Sequence, residues 1–219
     1  MRVSFLCWIA LACGAGAVQA QPLDTVLVLE TTPGTEQAIG LIRPRDFRED
    51  DRVAVIGFDH SARVLQPLTA DREILKRTLR YAGTRITIGA GSGNLSGATW
   101  RVDLVRAIEL ACAAFPGEET GGRGRAIVVL AAGEDPNLAR QPGTLERAID
   151  VAGARLYPVA VYRVDERGRL IARSRSAPPV PVTWLGLVRL ADASGGRAAP
   201  DRWDLQEILS SARRQPPRR

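Results

Sequence analysis

The sequence predicts an α/β fold with a doubly wound, mostly parallel sheet, one antiparallel edge strand and helices on both faces. Two observations predict it. Short runs rich in β-branched residues alternate along the chain with segments of helical periodicity, and most of these runs are apolar at nearly every position. A parallel sheet that is covered on both faces requires such continuously apolar strands. With 219 residues, of which 45% are apolar, the chain is long enough to bury the core of one domain.

Four of these runs are predicted to form parallel strands, and a fifth run forms the edge strand. The four lie at residues 25–30, 52–58, 126–130 and 156–162. Residues 62–68 instead alternate polar and apolar side chains after a tight turn, which is typical of an antiparallel strand at the edge of a sheet.

Helical periodicity fills the intervals between the strands. The predicted helices cover residues 70–81, 102–115, 144–152, 183–193 and 204–213. Thr69 is the expected N-cap of the first of them. The segment between Gly34 and Asp51 is interrupted by Pro44, so only a short helix is expected there. A further strand is predicted at 84–88, before a glycine-rich loop.

The amino-terminal segment predicts export. Arg2, an apolar stretch over residues 5–17 and the sequence Val18-Gln19-Ala20 are typical of a cleaved signal peptide that spans residues 1–20. The alternative is lipoprotein processing, in which Cys13 is acylated. The prediction is therefore a periplasmic or extracellular protein.

The mature chain is predicted to be one domain over residues 21–214, followed by a basic tail at 215–219. No later apolar run of the sequence approaches the ~20 residues of a membrane helix. Once the signal peptide is removed, Cys112 is the only cysteine left, so no disulfide framework is available.

Several stretches, weak when taken singly, form a recognisable series in their order and spacing. They are Thr25-Val26-Leu27-Val28-Leu29-Glu30, the run from Asp51 to Phe58 with its continuation to Arg72, Thr99 with Asp103, the run from Ala126 to Asp135, and the run from Leu187 to Arg197. Over roughly residues 23–213 this series resembles the von Willebrand factor type A domain, most closely its exported bacterial variety. Doubly wound sheets bind their ligands at the carboxyl ends of the strands, so a ligand surface is expected there.

The resemblance also implies the place of a metal site. Members of the family commonly hold a divalent cation in a metal-ion-dependent adhesion site, built from an Asp-x-Ser-x-Ser loop, a Thr and an Asp from two further loops. On that pattern Glu30 stands at the first Asp, Thr32 and Gly34 at the two Ser, Thr99 at the Thr and Ala132 at the last Asp. Mg²⁺ demands near-octahedral oxygen ligands, so we expect a degenerate site that binds no cofactor.

A Mg²⁺-dependent adhesion domain is the first alternative. It would use Glu30, Thr32, Thr99 and Asp135 as ligands, with Asp135 supplying the missing carboxylate. On the competing interpretation, Glu134 and Asp135 cap the turn that follows them, and the other three residues form a hydrogen-bonded loop cluster.

The glycine-rich loop at 89–97 supports a second alternative, a small secreted α/β enzyme or nucleotide binder. Such a loop before a helix resembles phosphate-binding loops. However, it does not follow the first strand of the fold, and no Lys follows it as a P-loop requires. His60 lies in a predicted turn and Cys112 on an apolar helix face, so neither is expected to be catalytic. The chain is therefore predicted not to be an enzyme.

The number and distribution of charged residues bear on whether the partner is a protein or a nucleic acid. The sequence has 30 Lys and Arg against 24 Asp and Glu, and Lys76 is its only lysine. Arginines concentrate at 167–175, but neither interleaved aromatic residues nor a nucleic-acid motif accompanies them. We expect a non-enzymatic module of a bacterial cell envelope that binds or scaffolds a protein, not a nucleic acid. The expected binding surface comprises loops 30–34, 89–99 and 131–135.

Overall fold

The predicted sheet is confirmed in the computed structural model, which describes residues 21–32, 35–89, 102–117, 122–132, 135, 137–138, 142–161, 182–199 and 205–216. The strands found among these residues are β1 (Leu23–Glu30), β2 (Arg52–Phe58), β3 (Ala62–Thr69), β4 (Gly124–Ala131) and β5 (Arg155–Ala160). Their order is β3-β2-β1-β4-β5. All neighbouring pairs are parallel except β2 and β3, so β3 is the antiparallel edge strand.

Strand β1 occupies the centre of the sheet and is buried along its whole length. Leu27 pairs with Val55 on β2 and with Val128 on β4, and Val128 pairs with Tyr157 on β5. The continuous apolar run in the sequence reflects this double coverage, because both faces of β1 exclude water.

Helices cover both faces of the sheet. The described helices are α1 (Glu36–Gly40), α2 (Arg72–Gly89), α3 (Leu104–Ala113), α4 (Pro142–Val151), α5 (Val182–Ser194) and α6 (Leu205–Arg214), with a 3₁₀ turn at Pro44–Asp46. Helices α1, α2 and α6 bury their apolar stripes against one face, and α3, α4 and α5 bury theirs against the other. The doubly wound layering is thus confirmed, although α3 is shorter than predicted by two residues at each end.

The start of α2 corrects the predicted N-cap. The Oδ1 atom of Asp71 accepts hydrogen bonds from the backbone N–H groups of Glu73 at 2.8 Å and Ile74 at 3.0 Å. Thr69 lies two residues earlier, and its hydroxyl accepts from the N–H of Asp71 at 3.1 Å. Asp71 therefore caps the helix, because it stands where its carboxylate reaches two unpaired N–H groups of the first turn.

The far end of α2 corrects a second prediction. The helix continues to Gly89, so the strand predicted at 84–88 is wrong. β-branched residues favour strands only weakly and in a context-dependent way, whereas a helix already anchored by buried Leu75 and Leu79 extends at little further cost.

A buried carboxylate joins three segments at the amino-terminal end of the strands. Asp24 of β1 accepts hydrogen bonds from the Nε atoms of Arg52 at 2.9 Å and Arg123 at 2.7 Å. Arg123 also donates to the carbonyl oxygens of Leu23 and Asp50. Burial alone would raise the pKa of Asp24, but the hydrogen bonds and charges of the two arginines outweigh it and hold that pKa below its usual value of 3.8.

The lowered pKa of Asp24 predicts a specific loss of stability in acid. A carboxyl whose pKa falls on folding adds stability that is complete above its unfolded pKa and is lost as pH falls through its folded pKa. Below about pH 4, the wild-type protein should therefore lose free energy of unfolding more steeply than Asp24→Asn. Urea titrations across this range measure the two slopes, with the exposed Glu73→Gln as the control. Parallel profiles for wild type and Asp24→Asn would contradict the prediction.

Candidate functional site

The carboxyl ends of β1, β2 and β4 meet at one end of the sheet, where doubly wound folds bind their ligands. The loop after β1 is tied to the end of β2. The backbone N–H of Thr31 donates to the carbonyl oxygen of Phe58 at 2.8 Å, and the Thr31 hydroxyl donates to the same oxygen at 3.2 Å. These two bonds fix where the loop leaves the sheet.

The side chain of Glu30 crosses this end of the sheet and is only 1% exposed. Its Oε1 atom accepts a hydrogen bond from the hydroxyl of Thr32, and its Oε2 atom accepts one from the backbone N–H of Ala132 at 2.6 Å. Hydrogen bonds to an ionised carboxylate are among the stronger ones in proteins. The carboxylate of Glu30 therefore links the loop after β1 to the loop after β4.

Thr35 completes a buried cluster beneath this link. Its hydroxyl lies 2.8 Å from the carbonyl oxygen of Glu30 and 2.9 Å from that of Thr32. Thr32 and Thr35 are both buried. Neither Thr31 nor Thr35 was predicted from the sequence, although three threonines that closely follow a buried strand are a detectable signal for hydroxyl groups that bond to the strand end.

Asp135 is also buried, but it lies at the amino terminus of α3. Its Oδ2 atom accepts from the N–H of Val105 at 2.9 Å, and its Oδ1 atom accepts from the N–H of Asn137 at 2.8 Å. It therefore caps its own turn, as one interpretation of the sequence had it, and it also caps a helix thirty residues earlier in the chain. Asp103 precedes α3 but makes no side-chain capping bond, so the carboxylate of Asp135 satisfies the first turn in its place.

The structure describes three of the four residues proposed as metal ligands and brings only two of them together. Glu30 and Thr32 are in contact, Asp135 binds α3, and Thr99 lies outside the described residues. Also outside them are Gly34, Glu134, residues 90–97 of the glycine-rich loop, and the arginines at 167–175.

The described residues at this end of the sheet offer an incomplete ligand set for Mg²⁺. Both oxygens of Glu30 accept hydrogen bonds from the two loops, and the side chain of Ala132 has no oxygen at the position of the family's last Asp. Mg²⁺ requires near-octahedral coordination by oxygen ligands, which these residues alone do not supply. Within the part of the chain that the structure describes, no three His, Cys, Asp or Glu side chains are grouped to hold a metal ion.

Two features bear on the enzyme alternative. Cys112 lies half-buried against the core, and burial, with a smaller contribution from the charge of Glu109, raises the pKa of its thiol to about 12. The thiol is therefore protonated and unreactive at neutral pH. A groove of about 230 Å³ lies between α4 and α5 and is lined by Ile149 and Leu190 among others. Its lining includes no residue of loops 30–34, 89–99 and 131–135, which we call the top loops, and its volume is below that of usual ligand pockets.

No family model matches the sequence, and neither does any curated protein. The structure, in contrast, is similar to solved ones. BatB from Bacteroides thetaiotaomicron is 16% identical, with a TM-score of 0.57 over 87% of this chain and 96% of that one. An aerotolerance-related membrane protein from Bacteroides fragilis is 17% identical, with a TM-score of 0.56 over 88% and 97% of the two chains.

A third similar structure carries the family name. The von Willebrand factor type A protein from Catenulispora acidiphila is 16% identical, with a TM-score of 0.52 over 89% of this chain and 42% of that one. At such identities the likeness concerns the fold alone. With the strand order described above, it shows that the chain has a von Willebrand A-type fold, as the resemblance in the sequence implied.

Proposed function

We propose that this von Willebrand A-type domain is an exported, non-enzymatic module that binds or scaffolds a protein of the bacterial envelope, and that its top loops act without a metal ion. The observation that carries the proposal is the 2.6 Å hydrogen bond between the Glu30 carboxylate and the backbone N–H of Ala132. In the metal-dependent sites of the family, the cation joins the first and third loops. Here one side chain joins them directly.

The length of the side chain supports this interpretation. A glutamate is one methylene longer than the aspartate of the family pattern, and that added reach lets the Glu30 carboxylate span from the end of β1 to the loop after β4. Because the same carboxylate also holds Thr32, the loops are organised before any ligand arrives. Such pre-organisation lowers the entropy that a protein partner must remove on binding.

The amino-terminal segment and one similar structure support the cellular location, and the chemistry of Cys112 supports the class. The amino-terminal twenty residues have the pattern of a signal peptide, and one similar structure is that of a membrane protein. None of the described helices combines the length and apolarity needed to span a bilayer. The half-buried, protonated thiol of Cys112 argues against a cysteine nucleophile.

Replacement of Glu30 tests the direct link between the loops. Glu30→Asp should lower the free energy of unfolding by about 1–3 kcal/mol, because the shorter side chain leaves the part-buried N–H of Ala132 without its acceptor. Thermal unfolding of the chain from residue 21 measures the loss, with Glu73→Gln, which changes an exposed carboxylate, as the control. An unchanged melting temperature for Glu30→Asp would contradict the proposed link.

The same measurement separates the proposal from the metal-dependent alternative. A ligand at a hundred times its dissociation constant adds about 2.7 kcal/mol, a shift of several degrees in a domain of this size. After treatment with a chelator, we expect no such shift on addition of Mg²⁺, Mn²⁺ or Ca²⁺. A shift that is present in the wild type and lost in both Thr32→Ala and Thr99→Ala would instead establish an adhesion site.

A further inference from the structure

Helix α2 presents two chemically different faces. Leu75, Leu79 and Ala82 are buried against the sheet. The opposite side carries Arg77, Arg80 and Tyr81, all exposed, with Lys76 at its margin. We call these last four residues the basic face. It lies on the flank of the domain, because α2 packs on β2, the edge strand β3, α1 and the 3₁₀ turn.

The positive charge of the basic face is little neutralised. The Nζ atom of Lys76 lies 3.5 Å from the Oε1 atom of Glu73, and both side chains are exposed, so this pair is weak. Neither Arg77 nor Arg80 makes an ion pair or a side-chain hydrogen bond with any residue that the structure describes. Cations three and four positions apart on a helix repel each other. The sequence thus keeps three cations together at a small cost in helix stability.

We propose that the basic face binds an extended acidic segment of a partner protein. Arginine presents a planar fork of N–H donors that matches a carboxylate bidentately. Residues at positions i and i+3 of a helix, such as Arg77 and Arg80, have Cβ atoms about 5–6 Å apart. Alternate side chains of an extended peptide lie about 6–7 Å apart on one side, so two of its carboxylates can meet both guanidinium groups.

The remaining chemistry of the basic face favours a protein over a membrane surface. An interfacial helix binds lipid by burying an apolar face in the bilayer, but the apolar face of α2 is already used by the core. Tyr81, which is 52% exposed, is the only aromatic residue of the basic face. A single aromatic ring beside the guanidinium groups of Arg77 and Arg80 suits an acidic peptide with an adjacent apolar side chain better than it suits insertion into lipid.

A labelled peptide of ten glutamates is the probe, and fluorescence anisotropy with the chain from residue 21 is the measurement. We expect saturable binding that weakens as salt rises. The double variant Arg77→Gln/Arg80→Gln should weaken it about fivefold, as the loss of two exposed ion pairs would. Arg147→Gln/Arg189→Gln changes the net charge equally on α4 and α5 and should leave binding within about twofold.

The outcomes that overturn the proposal are distinct. An equal loss in both double variants would show that net charge alone attracts the peptide, and absence of binding at low salt would dismiss the site. Binding to vesicles of phosphatidylcholine and phosphatidylglycerol, without binding to the peptide, would assign the face to a membrane. Both double variants should keep the melting temperature of the wild type, which separates lost binding from unfolding. Variants of Glu30 should leave peptide binding unchanged, so this test is independent of the proposal for the top loops.

Discussion

Replacement of Gly196 by Ala should lower the free energy of unfolding by about 3 kcal/mol and the melting temperature by roughly 6–12 °C. A Cβ atom at position 196 would lie 1.9 Å from the carbonyl oxygen of Leu156 and 2.8 Å from its carbonyl carbon. Both are backbone atoms of β5, so no side-chain rotation relieves the contact. Either β5 or the segment after α5 must move.

The close approach exists because the chain leaves α5 along the outer edge of β5. Gly195, with a φ of 70°, ends the helix in a left-handed turn, and the N–H groups of Gly195 and Gly196 donate to carbonyl oxygens of its last turn. The hydroxyl of Ser194 accepts from the N–H of Leu156 at 2.9 Å. Further on, the N–H of Ala199 donates to the carbonyl of Pro158 at 2.9 Å. This segment covers an edge that would otherwise be open to pairing.

Gly83→Ala is the matched control for Gly196→Ala. Gly83 lies inside α2, and a Cβ atom there would have no other atom within 4 Å. Because alanine favours a helix by about 1 kcal/mol over glycine, this variant should melt at or above the wild-type temperature. Thermal unfolding followed by circular dichroism compares the two. Equal melting temperatures for Gly196→Ala and wild type would mean that the segment after α5 does not lie so close to β5.

The sheet could be predicted from the sequence because its signal is local. A strand covered on both faces must be apolar over most of its length, and β1, β2 and β4 each contain such a run within eight residues. The end of α2 was mispredicted for a related reason. Residues 84–88 are rich in β-branched side chains, and a local propensity of that size is outweighed when a helix is already anchored upstream.

The candidate site could be predicted only in part, because its contacts join distant segments. The position of Glu30 followed from the strand that precedes it, but its bond to Ala132 connects residues 102 positions apart. Likewise, Asp135 caps α3 across 30 positions, while Asp103, which directly precedes the helix, does not. No periodicity or spacing contains such information, since it depends on how the loops are brought together by the whole sheet.

Another contact between distant segments joins the last helix to the sheet. The fully buried carboxylate of Asp51, just before β2, accepts hydrogen bonds from the N–H groups of Leu23 at 2.9 Å and Arg48 at 2.8 Å. It also accepts one from the guanidinium of Arg213 on α6, which is itself buried. One side chain thus joins β1, the segment before β2 and α6.

Asp51→Asn should therefore lower the free energy of unfolding by about 3–5 kcal/mol, because it leaves the charge of Arg213 buried without its counter-charge. Urea unfolding at neutral pH measures the change. Glu73→Gln, which breaks an exposed pair with Lys76, should cost less than about 1 kcal/mol and is the control.

A double-mutant cycle separates the ion pair from the other bonds of Asp51. Arg213→Met removes the charge but keeps much of the volume, so Asp51→Asn/Arg213→Met should be clearly more stable than Asp51→Asn alone. If the changes in free energy of unfolding of the two single variants simply add, the loss in Asp51→Asn comes from the hydrogen bonds to the backbone of Leu23 and Arg48. It then does not come from leaving Arg213 without its counter-charge. Coupling between the sites would instead show that α6 is held to the sheet by charge, so that both halves of the pair must be present or both absent.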